Sequence, residues 1–363
     1  MKLLRPISIL ASWLMLTASA VAQISLTPPG AETPAASKPA AKPKAKPAAA
    51  AKKPAAPAVT ANPVAPPAVP AATVTPAPAP DDPNVDLVFG AYQRGQYKTA
   101  FELATKRAQE NGDPKAMTML GELYANAMGV KRDYAAAAEW YKRAADGGDR
   151  EGMFALAMLR LAGRGGPVNR EEAVKLLASS AKLGNPKAAY NLALLYLDGQ
   201  TLPQDLKRSA ELLRLAADAG NPEAQYALAT FYKEGTGVPK DIDKAVRLLQ
   251  AASLADNVDA EVEYAIALFN GTGTPKNQAA GVALLRKAAR QNSPIAQNRL
   301  AYLLILGVGT PEDKIEGFKW HLVAKTAGKG DSELDERFSQ LGAEDRAKAQ
   351  EAARKWIGTT PGK

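Results

Sequence analysis

The sequence predicts an all-α protein: an α/α superhelical solenoid of stacked helix hairpins, preceded by a signal peptide and a disordered Ala/Pro/Lys-rich tether. Three observations carry that reading. A pattern returns every 36 residues, each period holds two amphipathic stretches split by glycines, and the composition changes abruptly near residue 84. Residues 223–256 show the unit most plainly. Ala224, Leu228, Phe231 and Tyr232 recur at the spacing that paints one face of an α-helix. Gly235 and Gly237 then break the pattern, since close-set glycines favour a turn with positive φ. Asp241 stands where an N-cap carboxylate would accept a free backbone N–H, and Ile242, Ala245, Val246, Leu248, Leu249 and Ala252 continue at helical spacing. One such hairpin cannot bury its apolar seam alone, so copies must stack.

The register holds over six copies. Ala224 is matched by Ala116, Gly152, Ala188, Ala260 and Ala296, and Leu228 by Leu120, Leu156, Leu192, Tyr264 and Leu300. Asp241 is matched by Asp133, Asn169, Asp205, Asn277 and Asp313, so every copy places Asp or Asn at the cap. Each turn glycine is present in five copies; Ala127 replaces the first and Thr201 the second. The rows at Trp140, Leu176, Leu212, Leu248, Leu284 and Trp320, and at Tyr141, Leu177, Leu213, Leu249, Leu285 and His321, are predicted to be core.

Taken in order, residues 1–22 read as a secretory signal. Lys2 and Arg5 give a positive start, residues 7–17 an apolar run too short for a comfortable bilayer span, and Ala20-Val21-Ala22 a small-residue cleavage site. The expected mature chain begins at Gln23, or at Val21 if the cut follows Ala18-Ser19-Ala20, in the periplasm or secreted; the alternative is an inner-membrane anchor formed by an uncleaved signal. No later stretch predicts a transmembrane span. Residues 23–84 form the tether, and 16 of the 27 prolines fall in it. Frequent proline blocks helix, and the lack of large apolar side chains leaves nothing to offset the ordering entropy. Lys38, Lys42, Lys44, Lys46, Lys52 and Lys53 make it basic, which suits a solvated spacer or a weak attraction to an anionic wall or membrane surface. Residues 85–113 read as an N-terminal capping hairpin turning at Arg94-Gly95-Gln96. The six units fill residues 114–331, with Pro114, Pro186, Pro222 and Pro294 at first-turn positions. Residues 332–363 read as two C-terminal capping helices with polar outer faces.

Several functions are disfavoured by composition. There is no cysteine, which excludes disulfides, thiolate metal sites and cysteine catalysis, and one histidine, His321, read as structural. The net charge is +9, but residues 1–84 carry eight Lys/Arg against three Asp/Glu, leaving the repeats only mildly basic with both signs interspersed. That is a poor nucleic-acid groove. Carboxylate pairs such as Glu171 and Glu172 stand at helix starts, where negative charge favours the dipole. No catalytic, metal or cofactor residue is assigned.

The frame Ala224, Tyr226, Leu228, Tyr232, then Gly235, Gly237, Val238, Asp241, then Lys244, Ala245, Ala251, Ala252 resembles the Sel1-like repeat, a relative of the tetratricopeptide repeat. The resemblance spans roughly residues 85–331. It implies a superhelix whose first helices line a concave surface used for protein–protein contacts, and a non-enzymatic scaffold or regulator in the bacterial periplasm or envelope. Regulation of a sensor kinase is one such role. An accessory subunit or enzyme of envelope polysaccharide metabolism is the competing class. Many secreted members staple their hairpins with cysteines, which this chain lacks. The second unit, with Gly152, Arg160 and Gly166-Pro167, departs from the pattern, as do Leu268 and Leu304 where tyrosine is usual.

One row on the first helices lies away from the seam. Phe154, Met158, Tyr190, Leu194, Tyr226, Thr230, Ile266 and Tyr302 make it largely apolar, with Thr118, Glu122, Val262 and Asn298 at the remaining equivalent positions. Two readings stand: contact between successive first helices inside the array, or an exposed groove for a protein partner of unknown identity. The eight residues named first are the candidate partner-binding set.

Overall fold

The computed structural model describes residues 86–359, and the predicted signal peptide and tether lie outside them. Among the described residues there are sixteen α-helices and no strand. A hairpin of α1 (Leu87–Gln93) and α2 (Tyr97–Asn111) comes first. Six pairs follow: α3 (Pro114–Asn126) with α4 (Tyr134–Asp146), α5 (Arg150–Ala162) with α6 (Arg170–Lys182), and α7 (Pro186–Asp198) with α8 (Leu206–Asp218). The later three are α9 (Pro222–Glu234) with α10 (Ile242–Leu254), α11 (Val258–Asn270) with α12 (Gln278–Arg290), and α13 (Pro294–Leu306) with α14 (Lys314–Thr326). The short α15 (Ser332–Ser339) and α16 (Ala343–Thr359) end the described chain. None of these helices is long and apolar enough to cross a membrane.

Local chemistry explains the uniform helix length of 13 residues in all twelve repeat helices. All six predicted caps form, with the side chains of Asp133, Asn169, Asp205, Asp241, Asn277 and Asp313 accepting N–H bonds from the first turn. The first helices are capped as well, by Asp113, Asp149, Asn185, Asn221, Asn257 and Ser293. Each cap contributes about 1 kcal/mol. Proline stands at the first turn of α3, α7, α9 and α13, where no N–H is needed. Each first helix stops at a left-handed residue, glycine in five units and Ala127 in the first.

Within a unit the two helices pack on each other, and each second helix packs on the first helix of the next unit. Their shared core is built from rows. Tyr141, Leu177, Leu213, Leu249, Leu285 and His321 are all buried, as are Leu120, Leu156, Leu192, Leu228 and Leu300. The neighbouring row corrects the sequence reading. Only Leu212 and Trp320 are buried there, whereas Trp140, Leu176, Leu248 and Leu284 are half-buried, because that row borders the hairpin core rather than centring on it. Alanine fills the closest approaches between helices, as at Ala188, Ala224, Ala260 and Ala296, all at 0% exposure.

The C-terminal helices close the last unit with aromatic contacts. Trp320 meets Trp356 edge-on with ring centres 5.0 Å apart, and Phe318 meets Phe338 at 5.2 Å. Leu334, Ala349 and Ala353 are buried against them. His321 is wholly buried, its Nε2 2.9 Å from Oδ1 of Asp335, and Lys325 Nζ donates to both oxygens of that carboxylate at 2.7 and 2.8 Å. The one histidine thus ties the last repeat to its cap.

Candidate docking face on the first helices

The row predicted from sequence falls on α5, α7, α9, α11 and α13, and the packing of successive units decides how much of each side chain remains reachable. Thr230 and Ile266 are buried. They offer no surface to a partner. Phe154, Met158, Tyr190, Leu194, Tyr226 and Tyr302 are half-buried. Phe154 and Tyr190 pack against the core shared by units two to four, Tyr226 against the core between units four and five, and Tyr302 against the last core. Met158 and Leu194 belong to none of these clusters.

The tyrosines along this row share a surrounding that the periodicity does not announce. Each lies beside carboxylates of the following unit or cap. Tyr226 donates its hydroxyl to Oε1 of Glu263 at 3.3 Å, and Lys233 Nζ donates to the other oxygen at 2.8 Å. Tyr302 donates to Asp331 Oδ1 at 2.7 Å, with Glu333 at 3.3 Å. Partial burial first, and the charge of Glu223 second, push the Tyr190 hydroxyl up to about 12. Burial pushes the Tyr226 hydroxyl up further, reinforced by Glu263, Asp259 and Glu234. At physiological pH these phenols are neutral. At the N-terminal end of the row, Thr118 donates to Asp149 Oδ2 at 2.7 Å, which also caps α5. Some of the row is therefore contact between successive first helices, and some remains open.

Two open recesses, of about 630 and 410 Å³, lie elsewhere, against the C-terminal cap. The larger is lined by Lys325, Asp335, Phe338 and Arg346 among others, and does not include the row. Among the described residues no group of three or more His, Asp or Glu is arranged to hold a metal ion.

Capped hairpins of constant length, stacked through shared cores and presenting one row of first-helix side chains, define a helical-repeat scaffold. The chain belongs to the Sel1 repeat family, whose model matches residues 114–149, 150–185, 186–221, 222–257, 258–293 and 294–329. Repeats of this kind typically mediate protein–protein interaction. Among solved structures the chain is similar to a Sel1 repeat protein from Oxalobacter formigenes, at 24% identity and a TM-score of 0.59, over 66% of this chain and 98% of that one. It is also similar to a protective antigen of uropathogenic Escherichia coli that displays the SLR fold. There the identity is 25% and the TM-score 0.51, over 74% of this chain and 67% of the other. No curated protein matches the chain.

Proposed function

We propose that the chain is a non-enzymatic scaffold, exported to the periplasm or cell envelope, that holds another protein along the open part of its first-helix row. The observation that carries this reading is the half-buried run Phe154, Met158, Tyr190, Leu194 and Tyr226 on three consecutive first helices. Met158 and Leu194 belong to none of the core clusters and keep part of their side chains reachable. Large apolar side chains left reachable in a row are the material of an interface anchor. The basic, proline-rich residues 23–84 would serve as a spacer between this scaffold and an anionic envelope surface.

A photo-crosslinking residue placed at Tyr190, with a second variant carrying it at the exposed Lys175 on the second-helix side, tests the face in cells of the source. The expected result is a discrete protein adduct from position 190 and none from position 175. Equal adducts, or none from position 190, would remove the face from consideration. Export has its own test. N-terminal sequencing of the purified protein should find Gln23 or Val21 first, and an intact Met1 in the membrane fraction would instead mark an anchored form.

A further inference from the structure

The turn of unit two, which departs from the repeat at Gly166-Pro167, also carries Arg164. Stacking lays this turn on the start of α4, where the Gly165 backbone approaches the Tyr134 carbonyl too closely to admit a Cβ. Two guanidiniums from successive turns thereby meet over one ring. The central carbons of Arg132 and Arg164 lie 5.9 and 5.3 Å from the centre of the Tyr134 ring. That ring is half-buried and packed against a core cluster, so it forms a fixed platform. The repeat does not require the trio. Where unit two has Arg164 the other units have Met128, Gln200, Thr236, Thr272 and Val308, and Tyr134 is the one aromatic at its position.

Residues 127–136 and 160–172 carry five cations against three carboxylates, and each carboxylate is engaged elsewhere. Asp133 accepts the N–H groups of Ala135 and Ala136, both at 2.9 Å. Glu172 takes Arg160 Nε at 2.8 Å, and Glu171 takes Lys175 Nζ at 2.7 Å. Neither Arg132 nor Arg164 forms an ion pair with a described residue. A guanidinium lying on a ring still presents in-plane N–H groups to an oxyanion. On the same turn Val168 is 51% exposed and folds back toward Gly163, leaving an apolar tip beside the cations.

We propose that Arg132 and Arg164, held over Tyr134, bind phosphate groups of an anionic phospholipid surface and seat this edge of the array on it, with Val168 entering the headgroup layer. Turns stand at the ends of helices, where a flat surface can reach them, and cations around an apolar tip suit a bilayer interface. The basic residues 23–84 precede this end of the array in the chain. The proposal rests on the envelope reading above for its surface, and on nothing from the first-helix row.

The mature chain is floated with vesicles of mixed phosphatidylglycerol and phosphatidylcholine, and with phosphatidylcholine alone. Binding to the anionic vesicles is expected, and Arg132→Gln with Arg164→Gln should weaken it about ten- to thirtyfold. Arg247→Gln with Arg290→Gln removes the same charge from exposed second-helix positions and should stay within about twofold of the parent. Equal weakening by the two pairs would assign binding to net charge and overturn the site. So would a first pair that melts earlier yet binds unchanged, since the guanidiniums would then serve the stack alone. A third variant carries Gln for Lys38, Lys42, Lys44, Lys46, Lys52 and Lys53. If only this one loses binding, the attraction of the tether stands and the site falls; if the parent ignores anionic vesicles, both fall. A Glu-rich peptide that binds the parent but not the first pair, with vesicles ignored, would overturn the lipid assignment in favour of an acidic protein segment. Inorganic phosphate at matched ionic strength should displace little, because a vesicle offers many headgroups at once. Full displacement would overturn the surface in favour of free phosphate.

Discussion

The two turn glycines of unit four are glycine for different physical reasons. Gly235 ends α9 in the left-handed region, φ 82°, and a Cβ there would meet nothing nearer than 3.5 Å. The equivalent Ala127 adopts the same conformation at φ 58°, so the position tolerates a side chain at a backbone cost of about 1–2 kcal/mol. Gly237 also has positive φ, but its Cβ would come within 2.2 Å of the Leu206 carbonyl oxygen at the start of α8 in the preceding unit. Gly165 repeats the clash at 2.1 Å from Tyr134 O. Backbone cannot move aside as a side-chain tip can. Urea denaturation should therefore show Gly235→Ala losing about 1 kcal/mol and Gly237→Ala about 3 kcal/mol or more, the overlap adding to the conformational strain. Equal losses would mean that the inter-unit contact is not what excludes a side chain. The glycines themselves were legible from sequence, since any short Gly-x-Gly suggests a turn. The second glycine's partner was not, because Leu206 lies 31 residues earlier and only the stacking brings it close.

At the scale of one helix, burial separates residues that periodicity treats alike. Leu228 of α9 is 3% exposed and Leu254 at the end of α10 is 80% exposed. Leu228→Ala should cost about 2–5 kcal/mol from lost transfer energy and the cavity left behind, and Leu254→Ala close to nothing. Thermal melts of the two variants check this directly. Sequence found the core rows because 36-residue spacing repeats them, but it could not see which edge of the seam the next unit covers. Trp140 is only half-buried for that reason, and Ile266 is buried where the equivalent Met158 is not. Glu261 was invisible for a related cause. Its carboxylate is wholly buried on α11, held by Lys287 Nζ at 2.6 Å, at a position where other units carry Met, Ala or Gln.

The cap helix α15 depends on a charge as well as on packing. The Lys325 ammonium first, and the His321 contact second, hold the Asp335 carboxyl below the usual carboxylate range. A carboxyl whose folded value lies below its unfolded one stabilises the fold above the unfolded value. That contribution is lost as pH falls through the folded value. The tie should therefore be complete above about pH 5 and fade below about pH 4. Asp335→Asn should melt earlier than the parent at pH 7, and the gap should close as the buffer is taken below about pH 4. A gap that persists unchanged into acid would assign the effect to packing of the new amide.

Across the array, the core is a chain of clusters rather than one body. One cluster joins units two to four, another units four and five, and a third units five and six with the cap. Each helix meets chiefly its neighbours, so stability is a sum of unit and interface terms and damage stays local. Leu285 on α12 is 0% exposed and belongs to the last of these clusters. Removing its side chain by Leu285→Ala should cost about 3 kcal/mol there, within the usual range for a buried leucine. Native-state hydrogen exchange then reads the reach of that loss. Amides of α11 to α14 should exchange roughly a hundredfold faster, since each 1.4 kcal/mol is a factor of ten, while those of α3 to α6 stay within about twofold of the parent. A globular core would spread the loss evenly, and so would a solenoid whose interfaces outweigh its units enough to make it unfold as a whole. An even loss would therefore count against the nearest-neighbour account. A graded one, steepest at unit five and fading toward unit two, would show that the first-helix row on units two to four can be altered without disturbing the cap, and the cap without disturbing the row.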